Sequence, residues 1–477
     1  MKEPRADRAL VIDPAWLVFM GSYRLHNGIS TTWHYLSAGP EVEKIGAVFK
    51  EMSRRRRAGR TDWFFDEARR LFEWRGEELR LKDEHYWRAA TSLFDEDDLA
   101  LVFAAREGTT KVGLAIGPEQ LRALGELLPR LRPTRSAAEL EGREGLLETV
   151  ELLRSREIVT EIPRAPRAPR ATDYGLRLTG HGGVLVETPR TRALIDPLLT
   201  LRYRPEVDRL HELDAPLDAI VITQSRWSHF ALDTLLHVDR ATPIYLARKE
   251  HPPSLDNLDM YSLLRELGFE TLRSLTTWET ESIGDIRLTA MPFQGAGLGT
   301  DSPVDWMTLH VAAGGRRAFL ATSACADQRG SFDGVVREMV ERLGTVDFVF
   351  ASYEDYHYPV SWFTRRPFYL GPGREQATTS PDDAVRWTSL AGAHYLIPYA
   401  SFVWSERDLG RSPTREVLYA GVVQRGSFAR LASQMAEWPL GPMIRLLPGG
   451  ELRWRDRSEL RVRHAPPSSF THVRAYS

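Results

Sequence analysis

One stretch constrains this chain more than any other: the decapeptide VITQSRWSHF at positions 221–230, which continues an apolar run that starts at Leu217. A short apolar run bounded by polar residues is typical of a buried strand. The polar stretch that follows carries Gln224, Arg226, Ser228 and His229. Of these side chains only His229 is a common metal ligand. The sequence therefore predicts a buried strand that runs into a polar turn with one histidine.

The totals limit the class of protein. A chain of 477 residues is long enough for more than one domain, and 42% hydrophobic with 27% charged residues is typical of a soluble globular protein. The net charge of -2 provides no general attraction to nucleic acid or to acidic membranes. Cys325 is the one cysteine, so no intrachain disulfide can form, and the sequence has neither a signal-peptide pattern nor a membrane span. We expect a cytoplasmic protein with no membrane partner.

The front third contains a weak internal repeat. Leu-Val-Phe occurs at 17–19 and again at 101–103, and each copy leads to a Gly-Pro-Glu that opens a helical pattern. Each copy then has a second amphipathic run, at 64–74 and at 145–155. This spacing predicts two small α+β units, residues 1–82 and 83–161. In the second unit the pattern predicts strands at 99–105 and 111–116, two helices and a closing strand.

The order of elements in the second unit fits a winged helix-turn-helix arrangement. The phrase LLPRLRPTRSAAEL followed by GLLETVELLRSREIV resembles peptide-recognition domains of proteins that modify ribosomally synthesised peptides. That resemblance implies that a precursor leader would add as a strand to the edge of the sheet. DNA binding is the alternative, but the second helix at 143–157 carries more acidic than basic residues, which argues against a duplex reader. The predicted peptide-binding residues are Lys111, Val112, Leu114, Leu146, Val150 and Leu153.

A proline-rich segment follows the front third. In IPRAPRAPRA, residues 162–171, proline occurs at every third position without an apolar period. Such a segment is expected to be extended and semi-rigid. We therefore expect a linker at 162–173 that separates the front units from a body at 174–455, with a C-terminal tail at 456–477.

From Tyr174 onward the motifs resemble the metallo-β-lactamase superfamily, in the branch that contains ascorbate-lactonases and N-acyl phosphatidylethanolamine phospholipases. Gly180-His181-Gly182-Gly183 followed by Ile-Asp-Pro at 195–197 is similar to the opening hairpin of that branch, with Asp196 kept. The decapeptide at 221–230 stands where the superfamily has I-T-H-x-H-x-D-H-F. The resemblance implies an αββα sandwich. The fold class expected for the whole chain is therefore α+β, with tandem winged-helix-like units before this sandwich.

The same resemblance implies where the metal ligands of the superfamily would lie, and most are replaced. Zinc and iron bind imidazole, thiolate or carboxylate, whereas the guanidinium of Arg226 would put a fixed positive charge beside the cation. We therefore expect no metal, no other cofactor and no metal-activated water. At the last ligand position the match falls on Tyr399 or Ala400. The predicted pocket residues are Asp196, Gln224, Arg226, Ser228, His229, Gln294, Gly295, Ser323, Thr378 and Tyr399.

Three interpretations of this pocket remain open. Arg226 and His229 could fill it as a hydrogen-bonded plug, or Arg226 could be the positive pole for a carboxylate or a peptide terminus. The third is metal-free catalysis by His229 with Ser228, Ser323 or Tyr399. A relocated site at Glu354–His357 is a further candidate, while Cys325 and His394 are expected to be core residues.

The function expected from these features is that of a peptide-binding or scaffold protein, without metal-dependent catalysis, in a pathway for a ribosomal peptide natural product. Its partners would be a precursor peptide or its leader, and a partner modifying enzyme. Two alternatives stay open at this point. One is a hydrolase or cyclase that acts on the peptide with a rebuilt active site, and the other is a ligand-sensing regulator that binds DNA.

Overall fold

The computed structural model describes residues 7–22, 72–75, 78–81, 99–105, 111–115, 117–140, 143–167, 170–200, 209–226, 228–252, 257–295, 304–327, 330–359, 374–376, 378–400, 423–424, 426–436 and 442–464.

The described residues of the front third form short strands and two α-helices. Its elements are β1 (Arg8–Ile12), β2 (Trp16–Ser22), β3 (Phe72–Arg75), β4 (Glu78–Leu81), β5 (Leu99–Ala105), β6 (Lys111–Ala115), α1 (Pro118–Leu127), α2 (Glu144–Ser155) and β7 (Val159–Pro163). The strands and helices predicted for residues 99–163 are therefore present. In the run predicted as a helix at 64–74, residues 72–74 instead belong to β3, which pairs with β4 in a hairpin. The rest of that run, and the helix predicted after Gly39, lie outside the described residues.

Strand pairing connects the two predicted front units. β2 pairs antiparallel with β5, and β5 with β6, so that one sheet has the order β2-β5-β6. The closing strand β7 pairs antiparallel with β1 instead of joining this sheet. Both pairings join residues of the first predicted unit to residues of the second. The winged-helix description of these units stays a prediction.

The body contains two large mixed sheets. The first has eight strands in the order β13-β12-β11-β10-β9-β8-β23-β24, and the second has six in the order β14-β15-β16-β17-β18-β21. The strands of the first sheet are β8 (Tyr174–Leu178), β9 (Val184–Glu187), β10 (Arg192–Ile195), β11 (Ala219–Ile222), β12 (Ile244–Ala247), β13 (Leu272–Leu275), β23 (Glu451–Trp454) and β24 (Arg461–Arg463). Those of the second are β14 (Thr280–Ile283), β15 (Ile286–Pro292), β16 (Met307–Ala313), β17 (Arg316–Leu320), β18 (Phe348–Ala351) and β21 (Tyr395–Pro398).

Helices and a small sheet complete the body. The helices are α3 (Leu232–Leu235), α4 (Met260–Glu266), α5 (Asp333–Leu343), α6 (Pro381–Leu390) and α7 (Phe428–Ala436). A three-stranded sheet is formed by β19 (Tyr356–Pro359), β20 (Arg374–Gln376) and β22 (Val423–Gln424). Helix α6 begins with a capping box, in which Ser380 accepts a hydrogen bond from the backbone of Asp383. Among the described residues, no helix is both long enough and apolar enough to cross a bilayer.

Alternation along the strands explains the layers. In β11, Ala219 and Val221 belong to the core between the two sheets, whereas Ile220 and Ile222 belong to a core on the outer face. Because successive side chains of a strand point to opposite faces, a fully apolar strand can serve two cores. Helices α5 and α6 contribute to a third core on the outer face of the second sheet. The body is thus a sandwich of two sheets between helical layers.

The front third packs on the outer face of the first sheet. Leu124 and Val150 share one hydrophobic core with Ile220 and Leu246 of the body. Hydrogen bonds add to this contact, since the Arg132 guanidinium donates to the carbonyl oxygen of Leu210 at 2.9 Å. The first two residues of the predicted linker, 162 and 163, lie in β7. Residues 461–463 of the predicted tail form β24, which extends the first sheet.

Candidate functional site

The topology brings the predicted pocket residues to one edge of the sandwich. In the first sheet β8, β10 and β11 run in the same direction, and in the second β15, β17, β18 and β21 do so. The loops with Gly180–Gly183, Asp196 and the 223–230 turn follow the first set, and those with Gln294, Ser323 and Tyr399 follow the second. A hydrogen bond from the Met307 amide to the Thr223 carbonyl, 2.9 Å, joins the two sheets at this edge.

A buried hydrogen-bonded chain lies at the centre of the turn. His229 Nδ1 is 2.7 Å from Asp196 Oδ2, and His229 Nε2 is 3.1 Å from Gln224 Nε2. All three residues are fully buried. Since a carboxylate only accepts, Nδ1 carries the proton and Nε2 accepts from the Gln224 amide. Asp196 accepts two more hydrogen bonds, from the backbone amide of Thr223 at 2.8 Å and from its hydroxyl at 2.7 Å.

These hydrogen bonds occupy His229 Nε2, the one imidazole nitrogen that a metal ion could use. A histidine ligand whose Nδ1 donates to a carboxylate binds its metal through Nε2, and here Gln224 holds that atom. Most of the sequence-predicted ligand positions do not fit zinc or iron either, because they carry Gln, Ser, Thr, Tyr or Arg side chains and not imidazoles or carboxylates. Within the described part of the chain, no group of three or more His, Cys, Asp or Glu side chains could hold a metal ion.

The Gly180–Gly183 loop closes over the histidine. A Cβ atom on Gly182 would lie 2.7 Å from His229 Cε1, and one on Gly183 would lie 2.9 Å from the Asp196 carbonyl oxygen. The imidazole of His181 packs edge-on against that of His229, with the ring centres 5.6 Å apart. Glycine is therefore required at both positions, because a larger side chain would clash with His229 or Asp196. The sequence motif did not indicate this constraint.

Arg226 is partly exposed and has an aromatic partner. Its guanidinium carbon lies 4.8 Å from the ring centre of Trp306, which is buried. The Trp306 indole in turn donates to the Ser225 hydroxyl at 3.0 Å. Cation–π contact of this kind stabilises by about 0.5–1 kcal/mol at exposed sites. Trp306 has no signal in the local sequence pattern, because its contact with the turn spans 81 positions.

The second sheet contributes Tyr399 to this buried region. The Tyr399 hydroxyl accepts from the Thr322 backbone amide at 2.7 Å, and Tyr399 is buried. Burial, together with the negative charge of Asp196, holds the pKa of the Tyr399 phenol well above 10.0. Tyr399 is therefore neutral at physiological pH. The orientation of Thr322 depends on an uncommon backbone conformation, with φ of 52°.

Two of the remaining pocket positions lie against Asp327 and not against His229. The Gln294 amide donates to Asp327 Oδ1 at 3.0 Å, and the Gly295 amide lies 3.4 Å from Asp327 Oδ2. Ser228, Ser323 and Thr378 are buried. None of these makes a described hydrogen bond to His229, whose two ring nitrogens are both occupied. The arrangement thus does not provide His229 with a nucleophile.

Other predicted residues fall outside this site. Leu146, Val150 and Leu153 are buried in the front core and cannot present their side chains to a peptide. The side chains of Lys111, Val112 and Leu114 lie outside the described residues, although their strand β6 is an edge of its sheet in the described pairing.

The remaining candidates divide into buried and exposed residues. Glu354 and Asp355 are buried, and the side chain of His357 lies outside the described residues. Cys325 is buried as expected. His394, expected in the core, is exposed because it lies in the turn before β21.

Comparison with known proteins supports the fold and suggests a functional class. No protein-family model matches the chain. The 4-amino-L-phenylalanyl-[CmlP-peptidyl-carrier-protein] 3-hydroxylase of Streptomyces venezuelae is 28% identical over 210 residues, which are 42% of this chain and 38% of that protein. The sequence match therefore spans well under two thirds of the relative.

Two solved structures are similar over nearly the full chain. The crystal structure of CmlA, a diiron β-hydroxylase from Streptomyces venezuelae, covers 94% of this chain and 99% of its own at 16% identity, with a TM-score of 0.59. A mutant of the CmlA β-hydroxylase covers 93% of this chain and 100% of its own at 18% identity, with a TM-score of 0.58. The chain shares the fold of CmlA, and its two sheets between helical layers agree with the αββα sandwich expected from the sequence. The branch of the metallo-β-lactamase superfamily expected from the sequence stays a prediction.

Proposed function

We propose that this chain binds an aminoacyl or peptidyl group held on a carrier protein, in a natural-product pathway, and does so without a di-iron centre. The carrier is supported by the 28% identity to a hydroxylase whose named substrate is 4-amino-L-phenylalanine on a peptidyl carrier protein. In this proposal the pathway is non-ribosomal, whereas the front third led us to expect a ribosomal one.

The absence of a di-iron centre is supported mainly by the hydrogen bonds that join Asp196, His229 and Gln224. A di-iron site needs several imidazole and carboxylate ligands around two ions. Here the one histidine of the turn has both nitrogens in hydrogen bonds, at 2.7 Å and 3.1 Å. Arg226 adds a permanent positive charge to the same turn. The chain keeps the fold of a diiron hydroxylase while its residues do not fit the iron.

A second candidate is supported by one feature of the front third. Strand β6 is the edge of the β2-β5-β6 sheet in the described pairing, so its outer side could pair with an added strand. A precursor leader would use that edge. An added strand would bind this edge through backbone hydrogen bonds, so the burial of the Leu146, Val150 and Leu153 side chains does not exclude leader binding.

Titration of the full chain with a carrier protein tests the proposal. The probes are the CmlP peptidyl-carrier protein unloaded and loaded with 4-amino-L-phenylalanine, followed by isothermal titration calorimetry. We expect micromolar binding, typical of small transient interfaces, that is stronger for the loaded form. Absence of binding to both forms at about 1 mM would reject the carrier as partner.

The expected lack of iron-dependent hydroxylation is tested separately on the same samples. The loaded carrier is incubated with the chain, ferrous iron, a reductant and oxygen, and its aminoacyl group is weighed by mass spectrometry. We expect no gain of an oxygen atom. Hydroxylated product above the level of a chain-free control would show that the site still supports iron chemistry.

A further inference from the structure

A second Asp–His pair lies outside the predicted pocket. His251 Nδ1 is 2.7 Å from Asp305 Oδ1, and 35% of the His251 side chain is exposed, against 8% for Asp305. Asp305 also accepts from Asn257 Nδ2 at 2.9 Å and from the backbone amide of Glu250 at 3.0 Å. Because Asp305 accepts the Nδ1 proton, the imidazole presents Nε2 as a base. In the described part of the chain, Nε2 of His251 has no hydrogen-bond partner.

This pair lies at the same edge of the sandwich as the 223–230 turn. His251 follows β12, which runs parallel to β11, and Asp305 precedes β16. Ser225, inside the turn, connects the two places, since its hydroxyl accepts from the Leu258 amide at 3.3 Å and from the Trp306 indole at 3.0 Å. The neighbours of Asn257 and Asp305 are thus bonded directly to the turn.

A small cavity opens beside the pair. Its lining includes His251, Asp305, Lys249, Asp259 and Tyr261. Lys249 provides a positive charge there and is held by Asp259, with Nζ 2.7 Å from Oδ2. The hydrogen bonds from the backbone amides and from Asn257 are enough for Asp305 to anchor the loop, so this structural role does not need the imidazole. The imidazole adds an exposed base, with a cation nearby, to a concave surface.

We infer that His251 is a general base that hydrolyses the thioester of a carrier-bound aminoacyl group, with Asp305 as its positioning residue. This inference rests on the proposed function for its substrate class. A histidine oriented by a buried carboxylate is the arrangement that takes a proton from a hydroxyl or water in acyl transfer. Thioester hydrolysis needs no metal and no oxidant, which suits a site that has lost its ligands.

The step balances with water as the only co-substrate. His251 Nε2 takes one proton from water as its oxygen attacks the thioester carbonyl carbon. Lys249 stabilises the negative charge that develops on the carbonyl oxygen. The carbon–sulfur bond then breaks, and the proton passes from His251 to the leaving thiolate. The products are a carboxylic acid and a free thiol.

The test uses the full chain and a small thioester that needs no carrier. The probe is the N-acetylcysteamine thioester of L-phenylalanine, and thiol release is followed with a chromogenic disulfide. We expect His251→Gln to lower kcat by about 100-fold or more with KM little changed, since general-base catalysis contributes 10²–10⁴-fold. Asp305→Asn should lower kcat as well, because it leaves the imidazole without its orienting acceptor.

Two controls keep the outcome interpretable. His394→Gln changes an exposed histidine outside the cavity and should leave thiol release unchanged. Added imidazole should partly restore His251→Ala, which a merely structural residue would not show. Thiol release by the parent chain no faster than by His251→Gln, or no faster than in buffer, would overturn the inference.

The same experiment separates the two proposals. If the loaded carrier binds but the small thioester is stable, the general-base role fails and the carrier-binding function stands. If the small thioester is cleaved in a His251-dependent manner while no carrier binds, the proposed function fails and the base remains.

Discussion

Two Asp–His pairs in the described part of the chain have the same 2.7 Å contact and opposite surroundings. Around Asp196 and His229 the side chains are fully buried, and Gln224 bonds to the second ring nitrogen. Around Asp305 and His251 the imidazole is about one third exposed, and its second nitrogen faces no described partner. Only the second arrangement leaves a base that a substrate could reach.

The difference shows that pair geometry alone does not indicate chemistry. A carboxylate fixes the tautomer of a histidine in either setting. The role of the histidine depends on its second ring nitrogen, Nε2. At His229 that atom completes a hydrogen-bonded core, whereas at His251 it remains available for proton transfer. Three substitutions and one elemental analysis can test this division.

The largest effect on stability is expected at the fully buried pair of Asp196 and His229, which we call the sealed pair. Asp196→Ala removes the acceptor of three buried hydrogen bonds, those from His229 Nδ1 and from the amide and hydroxyl of Thr223. We expect the free energy of unfolding to fall by about 3–5 kcal/mol, and Tm by roughly 5 °C, measured by calorimetry. Asp382→Ala, at a carboxylate that is 52% exposed, is the control and should change stability by under about 0.5 kcal/mol. Equal stability of the two variants would contradict a structural role for Asp196.

A smaller effect is expected at the loop that closes the sealed pair. Gly182→Ala would place a Cβ atom 2.7 Å from the His229 ring, so the loop or the ring must shift. Such overpacking costs about 1–3 kcal/mol in urea unfolding. Gly145→Ala is the matched control, since nothing lies within 4 Å of its Cβ position. A Gly182→Ala variant as stable as that control would mean that the loop is open.

The smallest effect on stability is expected at Arg226. Its cation–π contact with Trp306 is partly exposed, so Arg226→Ala should cost about 1 kcal/mol. Loss of about 3–5 kcal/mol would instead identify Arg226 as a buried plug. If Arg226 is an anion pole, binding of the loaded carrier should weaken in both Arg226→Ala and Arg226→Lys, because lysine lacks the planar two-pronged contact.

Much of the fold follows from local patterns in the sequence. The runs at 99–105 and 144–155 have the strand and helix periods that the structure shows, and Asp196 and the 223–230 turn lie where the motifs place them. The motif order also places the pocket residues at one edge, since parallel strands end together.

Long-range pairings could not be read from those patterns. β2 pairs with β5 across the front third, so the two apparent repeats share a sheet. The His251–Asp305 contact spans 54 positions, and neither residue lies in a recognisable motif. The hydrogen bond from Gln224 to His229 depends on a side-chain orientation that no spacing specifies. The residue types at the predicted ligand positions were visible in the sequence, whereas the hydrogen-bond partners of His229 were not.

Elemental analysis tests the central claim most directly. The full chain, purified without chelator and then dialysed after incubation with ferrous iron and, separately, with zinc, is measured by inductively coupled plasma mass spectrometry. Because Gln224 occupies His229 Nε2 and most of the predicted ligand positions carry neutral oxygens or a guanidinium, we expect well under one equivalent of either metal per chain. One or more equivalents retained after dialysis, and lost in His229→Gln, would contradict the account.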